Sequence, residues 1–488
     1  MSDLARLAGP VACVGLAVLL VTTTRRDRIA GLGFAGFGTI LLGASLAPSS
    51  PWHAIAEIVV AVVIGGLLAA AFRRVPWLLP VAALACVPIR VGALGHQLLV
   101  PLYLVILGGA MLFAWELLAG EDRSRELRVA TWPLALYVAW TGLSLAWTGD
   151  VHEGAIEVLA FYIPLTMLAL AVARLPWYEL GVRALYLEVA VMALIFAAVG
   201  FYQYDTRNVF ENPKVINSNA YAPFFRVNSV FWDPSIYGRF LVVAIIPSVV
   251  LIVRGRSVRL AWAAAGAVLV TWLGLLISFS QSSFAALLVA VVGVAIVAWR
   301  WKSAAAIALV LVVLAGVAVA QPQIRRSIVR HTHSGLNSAT SGRASLVANG
   351  IRIAVAHPVI GVGVGGFKHA YAERLHLRGK APKVAASHDA PVTVAAETGI
   401  VGLVLATWLA FGVLLAAFRR VDRSFRGRAS LSFGLAIAAI LCHSLFYNDF
   451  FEDPMTWMLF GLVALAAPRD GEPDEAAEPA AEPEAVAA

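Results

Sequence analysis

The 488-residue chain is 60% hydrophobic and only 14% charged, whereas soluble proteins carry about 25% charged residues. Apolar runs of about 20 residues recur along nearly the whole length, and each is long enough to cross a bilayer as a helix. A soluble globular fold is therefore excluded. The net charge of +8 does not indicate nucleic acid, because Lys and Arg flank the apolar runs and form no basic stripe.

The apolar runs predict an all-α polytopic transmembrane bundle of about 13–15 helices, because strands would need a closed barrel and an alternating pattern that is absent here. The runs lie near 7–24, 29–47, 54–72, 76–94, 97–119, 130–148, 154–173, 183–202, 237–253, 260–279, 283–299, 303–320, 392–418, 429–447 and 454–467.

Basic residues occur in alternate connections between these runs. The basic connections contain Arg25 to Arg28, Arg73 and Arg74, Arg123 to Arg128, Arg174 to Arg183, Arg254 to Arg259, Arg300 to Lys302 and Arg419 to Arg428. The intervening loops near Ser49, Asp150, Ser280 and Asn448 are almost free of Lys and Arg. By the positive-inside rule, the basic connections are cytoplasmic, and the long connections 203–236 and 321–391 lie on the outer face.

The chain divides into four regions on this basis. Residues 1–320 hold helices 1–12 with the outer loop 203–236, residues 321–391 form a long, partly helical extracytoplasmic loop, and residues 392–467 hold the last helices. Residues 468–488 are rich in Asp, Glu, Pro and Ala. Such a segment buries too little apolar surface to fold, which predicts a disordered cytoplasmic tail.

The long loop contains a glycine-rich stretch and many histidines. Gly361 to Gly366 matches the G-x-G-x-x-G dinucleotide pattern, but that fingerprint needs a preceding strand. A compact turn packed against a helix is the favoured interpretation. Six of the ten histidines lie in this loop, with His331 and His333 closest together. A zinc site needs three or four convergent ligands, so we predict no metal.

A second group in and after the loop is suited to anion chemistry. Arg343 opens a segment in which Ala344, Val347, Ala348, Ile351 and Val355 recur at helical spacing. A helix N-terminus and a guanidinium would there present positive potential to an anion. His388 precedes the next membrane helix and is a candidate general base. Glu397 lies inside that helix, where a charge avoids lipid.

The earlier outer loop adds two further guanidinium groups. Arg226 precedes an aromatic pair, Phe231 and Trp232, and Arg239 follows at the start of the next apolar run. An interfacial aromatic belt explains Trp232. Arg226 and Arg239 are candidates for binding phosphate, because guanidinium geometry matches phosphate oxygens.

These segments, in order, resemble the O-antigen ligase and polymerase superfamily of bacterial membrane glycosyltransferases. The residues from Arg226 to Pro234 resemble its Arg and Phe-x-x-Pro segment, and Ser341-Gly342-Arg343 with 357–367 is similar to its long-loop signature. The stretch from His388 to Gly402 resembles its His-Asn and Glu-x-Gly element. Two positions depart from the pattern: Asp389 stands where Asn is usual, and Gln281 stands where Arg is expected.

The resemblance implies a GT-C-like bundle in the bacterial inner membrane that moves a glycan from an undecaprenyl-pyrophosphate carrier to an acceptor hydroxyl, without metal or cofactor. His388 and Glu397 would be the catalytic residues, and Arg343, Arg226 and Arg239 would bind pyrophosphate. The partners would be the lipid-linked donor, a glycan or lipid acceptor and membrane lipids. A lipid-linked glycan flippase or another transporter is the alternative. Transporters place charged sites near the bilayer midplane, whereas here they lie in loops.

Overall fold

The computed structural model describes residues 2–46, 51–93, 96–121, 123–210, 212–221, 224–320, 343–376, 386–419 and 421–467. In these residues, eleven helices are long and apolar enough to cross a membrane, and Pro454–Ala466 is a shorter apolar helix. The described chain contains one two-stranded antiparallel sheet. The protein is therefore an all-α polytopic membrane protein, as predicted.

The helices are α1 (Ser2–Val21), α2 (Arg25–Leu46), α3 (Pro51–Arg74), α4 (Leu78–Cys86), α5 (Val100–Ala119), α6 (Thr131–Ser144), α7 (Val151–Glu157), α8 (Ile163–Ala173), α9 (Glu179–Thr206), α10 (Pro213–Tyr221), α11 (Pro234–Arg254), α12 (Val258–Ser278), α13 (Gln281–Ala320), α14 (Arg343–Ala356), α15 (Phe367–Arg374), α16 (Ala390–Phe418), α17 (Phe425–Ser444) and α18 (Pro454–Ala466). A π-helical turn, Val158–Tyr162, joins α7 to α8.

Within the described residues, four of the fifteen predicted runs are not separate spanning helices, and two of these, 130–148 and 454–467, form helices of only 14 and 13 residues, α6 and α18. The predicted helix 76–94 ends at Cys86, because Pro88 follows, and strands β1 (Val91–Ala93) and β2 (His96–Leu98) take its place. The predicted helices 283–299 and 303–320 form one continuous helix, α13. Arg300, Trp301 and Lys302 are polar or bulky but do not break a helix.

The basic connections meet at one end of the bundle, here called the basic end. Arg25 at the start of α2 donates to the carbonyls of Leu117 and Leu118 at the end of α5. Arg254 at the end of α11 donates to the carbonyl of Val421, and Arg426 donates to the end of α18. The membrane side that this end faces stays a prediction.

Aspartate N-caps begin the helices at the opposite end. Asp150, Asp233, Asp389 and Asp453 each accept a backbone N–H of the first turn of α7, α11, α16 and α18, respectively. Such caps satisfy backbone donors that have no partner within the helix. These helix starts position the loops that carry the candidate site. The predicted tail 468–488 and loop residues 321–342 lie outside the described residues.

Candidate active site

The glycine-rich stretch fills a break in helix α16. Gly399, with φ 69° and ψ −168°, interrupts the helix in a conformation that only glycine adopts readily. The carbonyls of Ala396 and Glu397, freed by the break, accept the N–H groups of Val362 and Gly363 at 2.9 and 2.8 Å. The prediction of a compact turn packed against a helix is therefore confirmed.

Glu397 holds this turn in place. The side chain is only 7% exposed, and Oε1 accepts the backbone N–H of Phe367 at 3.2 Å. The N–H of Gly365 also bonds to the Glu397 carboxylate. The turn also packs closely against α16 at Gly361, where an added Cβ would lie 2.3 Å from the backbone of Glu397. In the described residues, the contacts of the Glu397 carboxylate are therefore to the turn.

A hydrogen-bonded turn presents His388 at the start of α16. Ser387 is fully buried, and its hydroxyl donates to the carbonyl of Asp389 and bonds with the hydroxyl of Thr393, both at 2.8 Å. Asp389 caps α16 through the N–H of Val392 at 2.9 Å. His388 itself has a left-handed backbone, with φ 62°. Asp389 thus serves as an N-cap, a position that suits Asn equally well.

The environment of His388 favours its neutral form. Burial lowers the pKa of this half-buried imidazole, the charge of Arg343 lowers the pKa further, Asp233 raises it, and Lys214 lowers it. Its ring lies 6.3 Å from the ring of Tyr447. Burial, together with Asp233 and Asp449, holds the pKa of the Tyr447 phenol well above its ordinary value. These shifts favour the neutral imidazole at His388 and the protonated phenol at Tyr447.

Arg226 lies within electrostatic reach of Arg343 and of Tyr447. Arg226 is half-buried, and its Nε–H donates to the carbonyl of Ser278 at 3.2 Å. Arg343 is exposed at the first residue of α14. Neither guanidinium has an ion pair within the described residues. Arg343 thus interacts electrostatically with both Arg226 and His388, and the phosphate-binding role of the two arginines stays a prediction.

The buried face of α14 differs from the predicted one. Asn349, Gly350 and Ile353 are buried, whereas Ile351 and Val355 of the predicted apolar stripe are 48% and 72% exposed. The reason is a close approach to the start of α16, since a Cβ at Gly350 would lie 2.7 Å from the side chain of Val392. The described part of this helix, Arg343–Ala356, includes the segment for which the spacing predicted a helix.

Arg239 occupies a different environment from Arg226 and Arg343. It is 3% exposed and forms ion pairs with Asp449 and, from Nε at 3.3 Å, with Asp453. A guanidinium that already has two carboxylates has little positive potential left for a third anion. Through these ion pairs, Arg239 holds the loop 445–453, in which Tyr447 lies close to His388.

The position where the resemblance expects arginine lies at the start of α13, three residues after the end of α12. Gln281 is exposed and opens α13. Three residues earlier, the Ser278 carbonyl accepts the hydrogen bond from Arg226. The Arg226 guanidinium is therefore held beside the α12–α13 connection, which is where the resemblance implies a second guanidinium.

An apolar groove begins next to His388 and runs between α16 and α17. Its volume is about 290 Å³, and its walls include Ala390, Pro391, Phe411, Leu441 and Phe450. Ala390 and Pro391 follow His388 by two and three residues. A hydrocarbon chain in this groove would thus have one end beside the candidate base.

No group of three or more His, Cys, Asp or Glu side chains within the described ranges converges to hold a metal ion. His331 and His333 lie outside those ranges, and His357, His369 and His376 are exposed around α14 and α15. Sequence reasoning overlooked three neighbours of His388: Tyr447, Asp233 and Lys214. These three residues lie in other segments of the chain, so the pattern around His388 gave no signal for them.

The fold and this group of residues define a multi-pass membrane protein with a polar site at the end of its bundle. Residues 265–407 match the family described as O-antigen ligase. The matched segment begins in α12 and ends in α16, and it contains Arg343, His388 and Glu397. The match confirms the resemblance to the O-antigen ligase and polymerase superfamily and supports a glycosyltransferase-like enzyme. No curated protein matches the chain.

Proposed function

We propose that this protein transfers a glycan from an undecaprenyl-pyrophosphate carrier to an acceptor hydroxyl at the outer face of the bacterial inner membrane. The observation that supports this most is that Arg343 interacts electrostatically with both His388 and Arg226, and that neither arginine has an ion pair in the described structure. An apolar groove for the carrier begins at Ala390, two residues after His388. Family membership supports ligation or polymerisation of glycans.

The proposed reaction is a single displacement at the anomeric carbon. His388 accepts the proton of the acceptor hydroxyl, the acceptor oxygen forms a bond to the anomeric carbon, and the bond from that carbon to the pyrophosphate oxygen breaks. Undecaprenyl pyrophosphate leaves with the electron pair. Arg226 and Arg343 stabilise its negative charge through charge-assisted hydrogen bonds, in the role that the resemblance assigns to arginine without metal.

The other two predicted site residues act through their neighbours in this proposal. Glu397 is a positioning residue, because its carboxylate fixes the turn between α14 and α15. Arg239 is also a positioning residue, because its ion pairs anchor the loop that carries Tyr447. The sequence predicted phosphate binding for both Arg226 and Arg239, and in this proposal only Arg226 of the two binds phosphate.

Substitution of the base tests the proposal. Replacing His388 by Ala removes the proton acceptor, and we expect a loss of about 10²–10⁴ in the rate of glycan transfer, measured in membranes with the lipid-linked donor. His357→Ala is the matched control, because His357 is exposed at the end of α14, and its activity should equal that of the wild type.

Two results would contradict the proposal. Full transfer by His388→Ala would remove His388 from catalysis. Purified protein that moves the lipid-linked glycan across liposomes, yet never cleaves its pyrophosphate, would favour the transporter alternative.

A further inference from the structure

A second polar cleft lies beside Arg226, between the end of α9 and helix α10. Its volume is about 620 Å³, within the range of about 300–1,000 Å³ that is usual for small-molecule sites. Its walls combine aromatic rings with amides and one guanidinium, from Tyr204, Arg207, Asn208, Asn219, Phe224 and Phe225. The mechanism proposed above leaves this cleft unused.

The guanidinium of Arg207 is held by rings alone in the described residues. It lies 4.4 Å from the ring centroid of Tyr204 and 5.3 Å from that of Phe225. Within the described residues, no carboxylate pairs with Arg207, and no hydrogen bond involves the side-chain amide of Asn208. Both side chains are exposed next to the cleft. Their donors are therefore available to a ligand that brings its own acceptors.

Two residues in the wall of the cleft also contact Arg226 or the residues next to its hydrogen-bond acceptor. The side-chain amide of Asn219 donates to the carbonyl of Arg226 at 2.9 Å and accepts its N–H at 3.0 Å. Phe224 stacks on Phe279, with ring centroids 4.8 Å apart, and Phe279 follows Ser278, the acceptor of the Arg226 side chain. A ligand in the cleft therefore lies next to the proposed phosphate-binding arginine.

We propose that this cleft binds carbohydrate and holds sugar units of the lipid-linked donor; the donor assignment rests on the proposed function. Sugar rings present apolar C–H faces, which pack on aromatic rings, and hydroxyl groups, which accept from guanidinium and amide donors. The described lining of the cleft has one guanidinium among rings and neutral amides, a composition that does not suit a multiply charged phosphate. Asn219 in the cleft wall bonds to the backbone of Arg226. A glycan in the cleft would therefore lie beside the pyrophosphate to which it is joined.

The test compares two carriers bound to the full-length protein in nanodiscs. One is undecaprenyl pyrophosphate that carries the cell's own glycan, and the other is undecaprenyl pyrophosphate alone. Arg207→Asn removes the guanidinium and keeps a residue that tolerates the left-handed backbone of position 207, where φ is 53°. Asn208→Ala is the second variant. Arg259→Ala, an exposed arginine at the basic end, is the control.

We expect both variants to bind the glycosylated carrier about 10-fold or more weakly and the bare carrier as tightly as the wild type does. Equal losses for the two carriers, or no loss, would overturn the proposal. If donor binding is unchanged but the KM for a glycan acceptor rises, the cleft binds carbohydrate from the acceptor and the donor assignment is wrong. His388→Ala should bind both carriers normally, so failure of the proposed catalysis would not affect this result.

Discussion

The arginines at the two ends of the bundle differ in what surrounds them. At the basic end, Arg28 and Arg174 are buried, both pair with Glu126 at 2.7 Å, and both lie over the ring of Phe113. Arg226 and Arg343 at the opposite end have no ion pair among the described residues. A guanidinium with a buried carboxylate partner stabilises the fold, whereas one held by a carbonyl or by its helix keeps its charge for a ligand.

Arg239 shows that partners, and not position, determine this difference. It lies at the same end as Arg226, and the same sequence argument predicted phosphate binding for both. Asp449 and Asp453 neutralise it, so it resembles Arg174 more than its neighbour Arg226. Three experiments separate structural from ligand-binding arginines.

The largest effect should follow from removing the shared carboxylate at the basic end. Glu126→Gln leaves the charges of Arg28 and Arg174 buried with less compensation, and breaking such a buried pair costs about 3–5 kcal/mol of unfolding free energy. Chemical or thermal unfolding of the purified protein measures this. The rate of glycan transfer per folded molecule should not change.

Glu179→Gln is the control for that experiment. Glu179 pairs with Arg183 at 3.1 Å, but both side chains are largely exposed, so the loss should be below about 1 kcal/mol. If Glu126→Gln and Glu179→Gln are equally stable, the buried network at the basic end does not stabilise the fold.

The second experiment concerns the unpaired arginines. Arg226→Gln and Arg343→Gln should each weaken binding of undecaprenyl pyrophosphate by about 10-fold or more, because hydrogen bonds to charged groups contribute about 1.5–3 kcal/mol. Binding of undecaprenol, which has no phosphate, should be unchanged. Unfolding should be close to that of the wild type, in contrast to Glu126→Gln. A variant that loses both lipids equally would have lost its fold and not a phosphate contact.

The sequence predicted the helices well where hydropathy alone decides. The predicted helix 154–173 corresponds to the span Val151–Ala173, because a long apolar run has no other way to satisfy its backbone in lipid. Hydropathy does not register the helix end before Pro88, since the run 76–94 contains only one charged residue, Arg90. It also divided α13 at Arg300 to Lys302, because charge is not a helix breaker.

Prediction of the site depended on compact motifs. Arg343 and His388 lie within a loop whose pattern resembles a known family, and Arg343 interacts electrostatically with both His388 and Arg226. Tyr447 and the partners of Arg239 could not be predicted in this way. Asp449 lies 210 residues from Arg239, and only the packing of α11 against α17 and the loop after it brings the two side chains together.

The smallest effect, and the most specific, is a shift in pH dependence. Transfer needs the neutral imidazole of His388, so activity falls as the pH drops through its pKa, which burial and the charge of Arg343 hold below the ordinary histidine value. Arg343→Gln removes a positive charge, which raises that pKa and moves the acid limb of kcat/KM to higher pH. Asp233→Asn removes a negative charge but keeps the N-cap of α11, and it should move the same limb to lower pH. Because the midpoint of the limb does not depend on the overall rate, the opposite signs separate the field at His388 from the loss of phosphate binding. Shifts in the same direction, or none, would mean that another group titrates.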